Sequence, residues 1–498
     1  MTFPRRSFAG CMLVVVLALA AAPRANAIPA FARKYGLRCS ACHESWPILN
    51  NFGLKFRDNG YQLMNDRDSP IWQNPSYWPI TFRMTPLWHR VSQNTAQDTY
   101  TGIITPTAPY GSTVNKSLTT TGFDLSGLDF HTGGTLEKNI SFFLLPSSDN
   151  TGAWHFETVM TRFDNIFGSP WLNIKVGKFE LNNLLSEKRS VALAGNGAYQ
   201  TYHYIPLGDQ NIFGQMGDNQ LGLEWLGHSV NDRTRASASL LSSVDGNVNL
   251  TFGSNSYSTY LTFDQGFDTG KLGVQRIGAY YFGGEAATYF RTSAGVPIPG
   301  SGIGNKGFYR VGFTGQLYLG PHFDVNVVTQ HGSDNVWFGQ GYGNAVNTDG
   351  DGGTTCSGPY PLLPGCLPNN TPGTVLPAGS RAPSWNGYTI EARYVFSPQM
   401  IFLARYEAER MSQQANGPGY VGVGPTGIAG PSPSNLGNIN LWDVIFRWNP
   451  FMSSRAGLAI APEFNVFQQN GAGPANTVTG FGTTLNSSEF LVAFDFDF

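Results

Sequence analysis

Charge is scarce in this sequence. Asp, Glu, Lys and Arg make up 13% of its 498 residues, and Lys+Arg 31 nearly balances Asp+Glu 33. A chain so poor in basic residues carries no electrostatic footprint for nucleic acid. Cysteine is scarcer still, five in all. Beyond the first thirty residues no run of 18 apolar residues occurs, which excludes a spanning helix there. Blade-length repeats are missing too, which argues against a propeller. What the chain has in quantity is glycine, 60 residues, and aromatics, 13%. With a mean hydropathy close to zero, that composition suits a wall with one apolar face and one wet face.

The first residues read as an export signal. Arg5 and Arg6 form a basic start, "CMLVVVLALAAA" from Cys11 is an apolar core, and "ANA" from Ala25 to Ala27 is a cleavage site. Residues 1–27 are therefore expected to be a signal peptide, with the mature chain beginning at Ile28. Cys11 would leave with that signal. Cys356 and Cys366, in "CSGPYPLLPGC", are a disulfide candidate in an exported chain.

From about residue 78 onward, short runs alternate apolar and polar residues. In "SEFLVAFDFDF" at the C-terminus, Phe490, Val492, Phe494, Phe496 and Phe498 share one face of a strand. Leu491, Ala493, Asp495 and Asp497 share the other. A hairpin follows from "GYTIEARYVF" and "MIFLARYEAERM". With Ser397, Pro398 and Gln399 as a three-residue turn, Phe396 pairs with Met400, Tyr394 with Phe402, Ala392 with Ala404 and Ile390 with Tyr406, while Glu391 meets Arg405 on the opposite face. In "LWDVIFRW", Trp442, Val444, Phe446 and Trp448 alternate with Asp443, Ile445 and Arg447. Short connections such as "GPH" and "NPFMSS" contrast with long ones such as 334–386 and 412–437. The pattern predicts an all-β fold, a transmembrane antiparallel β-barrel over residues 78–498. At roughly 22–28 residues per strand and connection, it has on the order of 16 strands.

Residues 28–77 are different. "CSACH", Cys39 to His43, is the Cys-x-x-Cys-His pattern of covalent haem c attachment. Two thiols add to the haem vinyl groups and the adjacent histidine reaches the iron, all from one helical turn. A thioredoxin-like dithiol would want a surrounding βαβ pattern, and a zinc site would want a second pair of ligands; neither is present. Cys39, Cys42 and His43 are thus the cofactor-binding candidates, with His43 as proximal ligand. For the distal position the sequence leaves Met64, in "NGYQLMNDRD", His89, at the end of "ITFRMTPLWHR", or an open site. Fewer than fifty residues rarely build their own core. The α-helical haem segment is therefore expected to plug the barrel mouth, with Phe52, Phe56 and Tyr61 against the lumen wall.

"IPAFARKYGLRCSACHESWPILNNFGLKFRDNGY" resembles the N-terminus of the fused monohaem cytochrome c–porins of bacterial outer membranes, the group that includes iron(II)-oxidising outer-membrane cytochromes. The shared pattern is Phe31-Ala32-Arg33, Cys39, Cys42, His43, Pro47, Leu49, Gly53, Phe56 and Gly60. "VGKFELNNLLSEKRS" from Val176 is similar to a strand-and-turn segment of their barrels. The resemblance implies one covalent haem c and an outer-membrane location with both termini periplasmic. It also implies single-electron transfer from extracellular Fe(II) to a periplasmic c-type cytochrome, an Fe(II):cytochrome c oxidoreductase activity. Two alternatives stay open: an outward electron conduit, or a solute-diffusion porin whose haem plug is structural or a redox gate.

Overall fold

Period-two alternation becomes a wall with two unlike faces. The computed structural model describes residues 30–45, 47–64, 68, 70–73, 80–99, 113–148, 152–186, 191–206, 216–217, 219–242, 257–287, 305–334, 382–413, 422–423, 429–430, 434–452, 456–474 and 483–497. The signal peptide, Cys356, Cys366 and Phe498 lie outside the described residues.

Among the described residues sixteen strands form one closed barrel. They are β1 Ile80–Thr99, β2 Thr113–Glu137, β3 Ile140–Ser148, β4 Trp154–Phe163, β5 Asn173–Phe179, β6 Gln220–His228, β7 Thr234–Ser242 and β8 Tyr257–Asp268. The second half comprises β9 Val274–Ala287, β10 Asn305–Tyr318, β11 Phe323–Ser333, β12 Ser384–Ser397, β13 Met400–Gln413, β14 Ile439–Met452, β15 Gly457–Gln469 and β16 Leu485–Asp497. Each strand pairs antiparallel with the next, and β16 closes on β1 through pairs such as Leu491 with His89. Closure leaves no sheet edge, which is what lets a β-structure cross lipid.

The predicted hairpin is β12 and β13. Tyr394 pairs with Phe402, Ala392 with Ala404, Ile390 with Tyr406 and Glu391 with Arg405. One pair differs. Met400 pairs with Ser397, and Phe396 is pushed out by a bulge, so Pro398 and Gln399 alone make the turn. The bulge takes up the residue that a three-residue turn would otherwise hold, and the register beyond it is unchanged. "NPFMSS" is also less of a connection than its sequence suggests, since β14 continues through Met452 after an irregularity between Trp448 and Phe451.

The two faces are chemically opposite. Ile390 is 50% and Trp442 58% exposed on the outside, with Val444, Phe446, Phe464 and Phe490 sharing that face. Glu391, Arg405, Asp443 and Arg447 are buried on the inside. An outer wall of aromatic and aliphatic side chains around a closed sheet is a lipid-facing wall. Inside, Arg405 lies 2.9 Å from Asp443 and 3.1 Å from Glu407, and Asp495 takes Arg83 and Arg447 at 2.9 and 2.8 Å. No helix among the described residues is long and apolar enough to cross a membrane.

After β5 the chain turns into the lumen instead of away from it. Wall carboxylates accept its backbone N–H groups: Glu463 from Leu193 and Ala194 at 2.6 and 2.9 Å, and Glu489 from Gly195 at 2.9 Å. Glu391 accepts the Tyr199 hydroxyl at 3.1 Å.

Val444→Arg places a cation on the lipid face and should lower the barrel's stability by about 2–4 kcal/mol. Urea titration of refolding into lipid vesicles measures it; an unchanged midpoint would contradict a lipid-facing Val444.

Candidate functional site: the N-terminal segment inside the barrel

Among the described residues before the barrel, the α-helices are α1 Ala30–Tyr35, α2 Cys39–Cys42 and α3 Asn51–Asp58. The single turn of α2 carries both cysteines of the motif. His43 follows it directly in a short extended piece, His43–Ser45, that pairs with Ile48–Leu49. Asn50 locks this motif to α3. Its side-chain oxygen caps the helix by accepting from Gly53 N at 2.9 Å, and its Nδ2 donates to Ala41 O at 3.0 Å. Gly53 then packs on Cys42 so closely that a Cβ there would stand 2.1 Å from the Cys42 carbonyl oxygen. That contact explains glycine at this position without any appeal to its backbone angles.

His43 is held in one tautomer. Its Nδ1 lies 3.0 Å from the carbonyl oxygen of Pro47. A bond to a carbonyl requires the proton on Nδ1, which puts the ring's lone pair on Nε2, the arrangement ligating histidines use. Burial pushes the Cys42 thiol up to about 11. That is the reverse of the depressed thiolate of a working dithiol.

Aromatic rings dock the segment on the wall. Phe31 stacks on Tyr61 with centroids 4.9 Å apart, and Tyr61 stacks at 5.8 Å on Phe143 of β3. Phe56 is buried and meets Phe31 and Tyr35 edge-on. Phe52 does not join them. It is 43% exposed, because the buried side of α3 is set by Gly53, Leu54, Phe56 and Asp58.

Polar anchors fix the position along the barrel axis. Glu44 Oε1 accepts the Tyr318 hydroxyl at 2.6 Å, Gln62 Oε1 accepts Asn139 N at 3.3 Å, and Lys55 Nζ donates to Val230 O at 3.2 Å. These wall partners sit at or beside the short turns, so the segment occupies the short-turn mouth. The strongest anchor is Asp58, 2% exposed, which pairs with Arg57 at 2.8 Å and with Arg235 of β7. Arg162 of β4 donates to the carbonyls of Arg57 and Asp58 at 2.9 and 2.7 Å, capping the end of α3. Burial by itself would raise the Asp58 carboxyl; the guanidiniums of Arg235 and Arg57 outweigh it and hold it well below the usual carboxylate range.

Between the segment and the wall lies a cavity of about 560 Å³. Cys42, His43 and Leu49 line it from the segment, and Arg83, His131 and Met160 from the barrel. Its size falls within the roughly 300–1,000 Å³ of ligand pockets. The fixed His43 tautomer and the cavity opening on Cys42 and His43 suit a haem; the cavity lining mixes apolar side chains with cations such as Arg83 and Lys175, which could meet propionates, and with carboxylates such as Asp129 and Glu157. The distal candidates lie elsewhere. Met64 is exposed, its sulfur 3.9 Å from Asn165 Nδ2. His89 faces the lumen, but its Nδ1 is 3.1 Å from Glu489, beyond the apolar cluster of Leu87, Ala194 and Leu491. A cavity-lining residue that sequence reasoning missed is His131. It sits in a long strand rich in Thr and Gly, and no spacing links it to the haem motif.

No family model matches the chain, and no curated relative does. Among solved structures it is similar to the outer membrane channel DcaP of Acinetobacter baumannii, at 11% identity over 84% of this chain and 97% of that one, with a TM-score of 0.43. Salmonella typhi OmpF in complex with daunomycin gives 9% identity, coverage of 84% and 98%, and a TM-score of 0.46. Pseudomonas putida OprB gives 10% identity, coverage of 92% and 99%, and a TM-score of 0.43.

Asp58→Asn strands Arg235 and should loosen the segment by about 3–5 kcal/mol. A spin label at position 64 (Met64→Cys) reads this as a gain in mobility at neutral pH, while the barrel keeps its heat-modifiable gel migration. In the unsubstituted chain the depressed Asp58 carboxyl stabilises attachment above the ordinary Asp pKa of about 3.9, and loses that contribution only as pH falls through its lower folded value. The label should therefore stay immobile at pH 4 and be released only in stronger acid.

Proposed function

We propose that this chain is an outer-membrane cytochrome–porin that moves single electrons across the bacterial outer membrane, with extracellular Fe(II) as donor and a periplasmic c-type cytochrome as acceptor. The observation that carries the reading is the meeting of Cys42 and His43 with a lumen cavity at the short-turn mouth, where the barrel wall supplies the rest of the pocket. Cys39 and Cys42 would hold the haem by thioether bonds and His43 would be its proximal ligand. Bound there, the haem supplies a one-electron iron couple. The protein's own part is positional. Pro47 fixes the His43 tautomer, Gly53 brings α3 against the motif, and Asp58 with Arg162 and Arg235 holds the segment in the mouth. In this reading the short turns and both termini face the periplasm, which puts the pocket within reach of a periplasmic partner. The lipid-facing outer wall and the absence of a sheet edge support the membrane location.

The barrel itself favours a second reading, a solute-diffusion porin in which the segment is structural or a gate. Sixteen strands enclose enough space for an aqueous channel, and the inner wall is charged.

Stopped-flow visible spectroscopy of the oxidised protein in detergent, mixed with Fe(II), separates the two. Rapid growth of sharp reduced-haem bands, and reduction of cytochrome c trapped in vesicles by external Fe(II), are the expected results. No reduction by Fe(II), together with steady single-channel conductance in planar bilayers, would replace the electron-transfer reading with the diffusion porin.

A further inference from the structure

We propose that the short-turn mouth around the cavity is a docking surface for a soluble electron-transfer protein whose contact face is acidic. The inference rests on the reading that Cys39 to His43 carries a haem, and adds to it the charge of the partner's face.

The four short turns between β2 and β9 form one continuous surface with the N-terminal segment. Asn139, in the β2–β3 turn, accepts Asp164 N at 2.7 Å and donates its own N–H to Gln62 of the segment. The β4–β5 turn meets Met64 through Asn165, and its Pro170 carbonyl accepts His228 N at 3.1 Å. Val230 of the β6–β7 turn accepts from Lys55 of α3, and Arg233 pairs with Asp268 at 2.7 Å beside the β8–β9 turn. On this surface Lys55, Lys138 and Lys271 are exposed. Arg38 is exposed as well and lines the cavity, which puts a cation at its opening. None of the four has a carboxylate partner among the described residues. The exposed acids beside them are Asp268, already answered by Arg233, and Glu137, whose carboxylate accepts Lys138 N at 3.1 Å. In a chain whose charges nearly balance, this is a local excess of cations.

Apolar side chains lie among these cations. Phe167 is 97% exposed and Val230 77%, each in a turn that touches the segment. Phe167 also holds φ at 57°, a left-handed backbone that residues with a side chain seldom adopt. An exposed ring on an unfavourable backbone is a cost to the isolated barrel that a partner contact would offset. Electron-transfer encounters use small, transient interfaces, and charge around the contact steers the partner and sets its orientation. Cations around the cavity opening therefore select an acidic face and bring it to the haem edge. Anionic lipid is the rival occupant of such a rim. It can reach turn residues such as Lys138 and Lys271, but Arg38 and Lys55 belong to the segment in the mouth, where the barrel wall stands between them and the bilayer.

The test uses the full-length holoprotein, reduced, in detergent. Its two probes share one fold and one haem: oxidised mitochondrial cytochrome c, which is basic, and the same protein with its lysines succinylated, which is acidic. Stopped-flow spectroscopy follows the single electron that passes from the ferrous holoprotein to each ferric probe. At low ionic strength the acidic probe should react at least about tenfold faster than the basic one, and the gap should close in high salt. Lys55→Glu combined with Lys271→Glu should remove that preference, and Lys55→Arg with Lys271→Arg should keep it. Covalent haem content and heat-modifiable gel migration report that each variant is assembled. Should the charge reversal impair folding, Lys138→Gln with Lys271→Gln should still narrow the gap. Equal rates for the two probes at low salt, a faster basic probe, or a preference untouched by charge reversal would each overturn the docking surface while leaving the haem reading intact. Variants that lose only their binding to phosphatidylglycerol vesicles, with rates unchanged, would overturn it in favour of a lipid contact. Absence of covalent haem from the unsubstituted protein would overturn both readings.

Discussion

The buried grip on the end of α3 is the contact on which the interior depends. Asp58 is almost fully removed from water, a costly place for a carboxylate unless its charge is answered. It is answered twice, by Arg57 from its own helix and by Arg235 from the wall, while Arg162 donates to two helix-end carbonyls, that of Arg57, which also accepts from Gly60 N, and that of Asp58. A short helix cannot stand alone in water. This one persists because its C-terminus, the end with the negative dipole, abuts two wall guanidiniums. Remove that grip and the stacked rings of Phe31, Tyr61 and Phe143 still attract, but the depth at which they sit is left to single hydrogen bonds such as those of Glu44, Gln62 and Lys55.

Much of the wall was legible in the residues. Period-two runs such as Phe490 to Asp497 and Trp442 to Trp448 declare both the strand and which face is lipid, because lipid and lumen make opposite demands on alternate positions. The β12–β13 register followed from the same demand: one slip would have set Glu391 and Arg405 against lipid. What escaped is local backbone accommodation, the bulge at Phe396, since a bulge changes the turn without changing the faces. The strand carrying His131 escaped too. Threonine and glycine satisfy either environment, so the run from Thr113 to Glu137 shows little contrast between its faces.

The candidate site was half legible. Cys39, Cys42 and His43 form a local motif whose chemistry depends on chain-adjacent spacing, and such motifs survive without a fold. The barrel's side of the cavity comes from strands far along the chain, brought there by barrel closure and strand register. Nothing in a linear reading couples His43 to His131. The same limit explains the inward course of residues 191–204: the carboxylates of Glu463 and Glu489 show in the alternation of their strands, but their partners are backbone N–H groups, which every residue but proline carries.

Those two interior devices use one piece of chemistry with opposite sign. On one side of the lumen, wall carboxylates collect backbone N–H groups from the inner loop; on the other, wall guanidiniums collect backbone C=O groups from α3. In each case a charge that would be expensive to bury is satisfied by peptide dipoles that would themselves be expensive to bury unpaired. Beyond side-chain anchors such as Asp58 and Glu44, the lumen wall therefore engages the inserted chain through backbone poles. This places few demands on the inserted sequence, and leaves its side chains, Phe31, Phe56, Cys42 and His43 among them, available to shape a pocket.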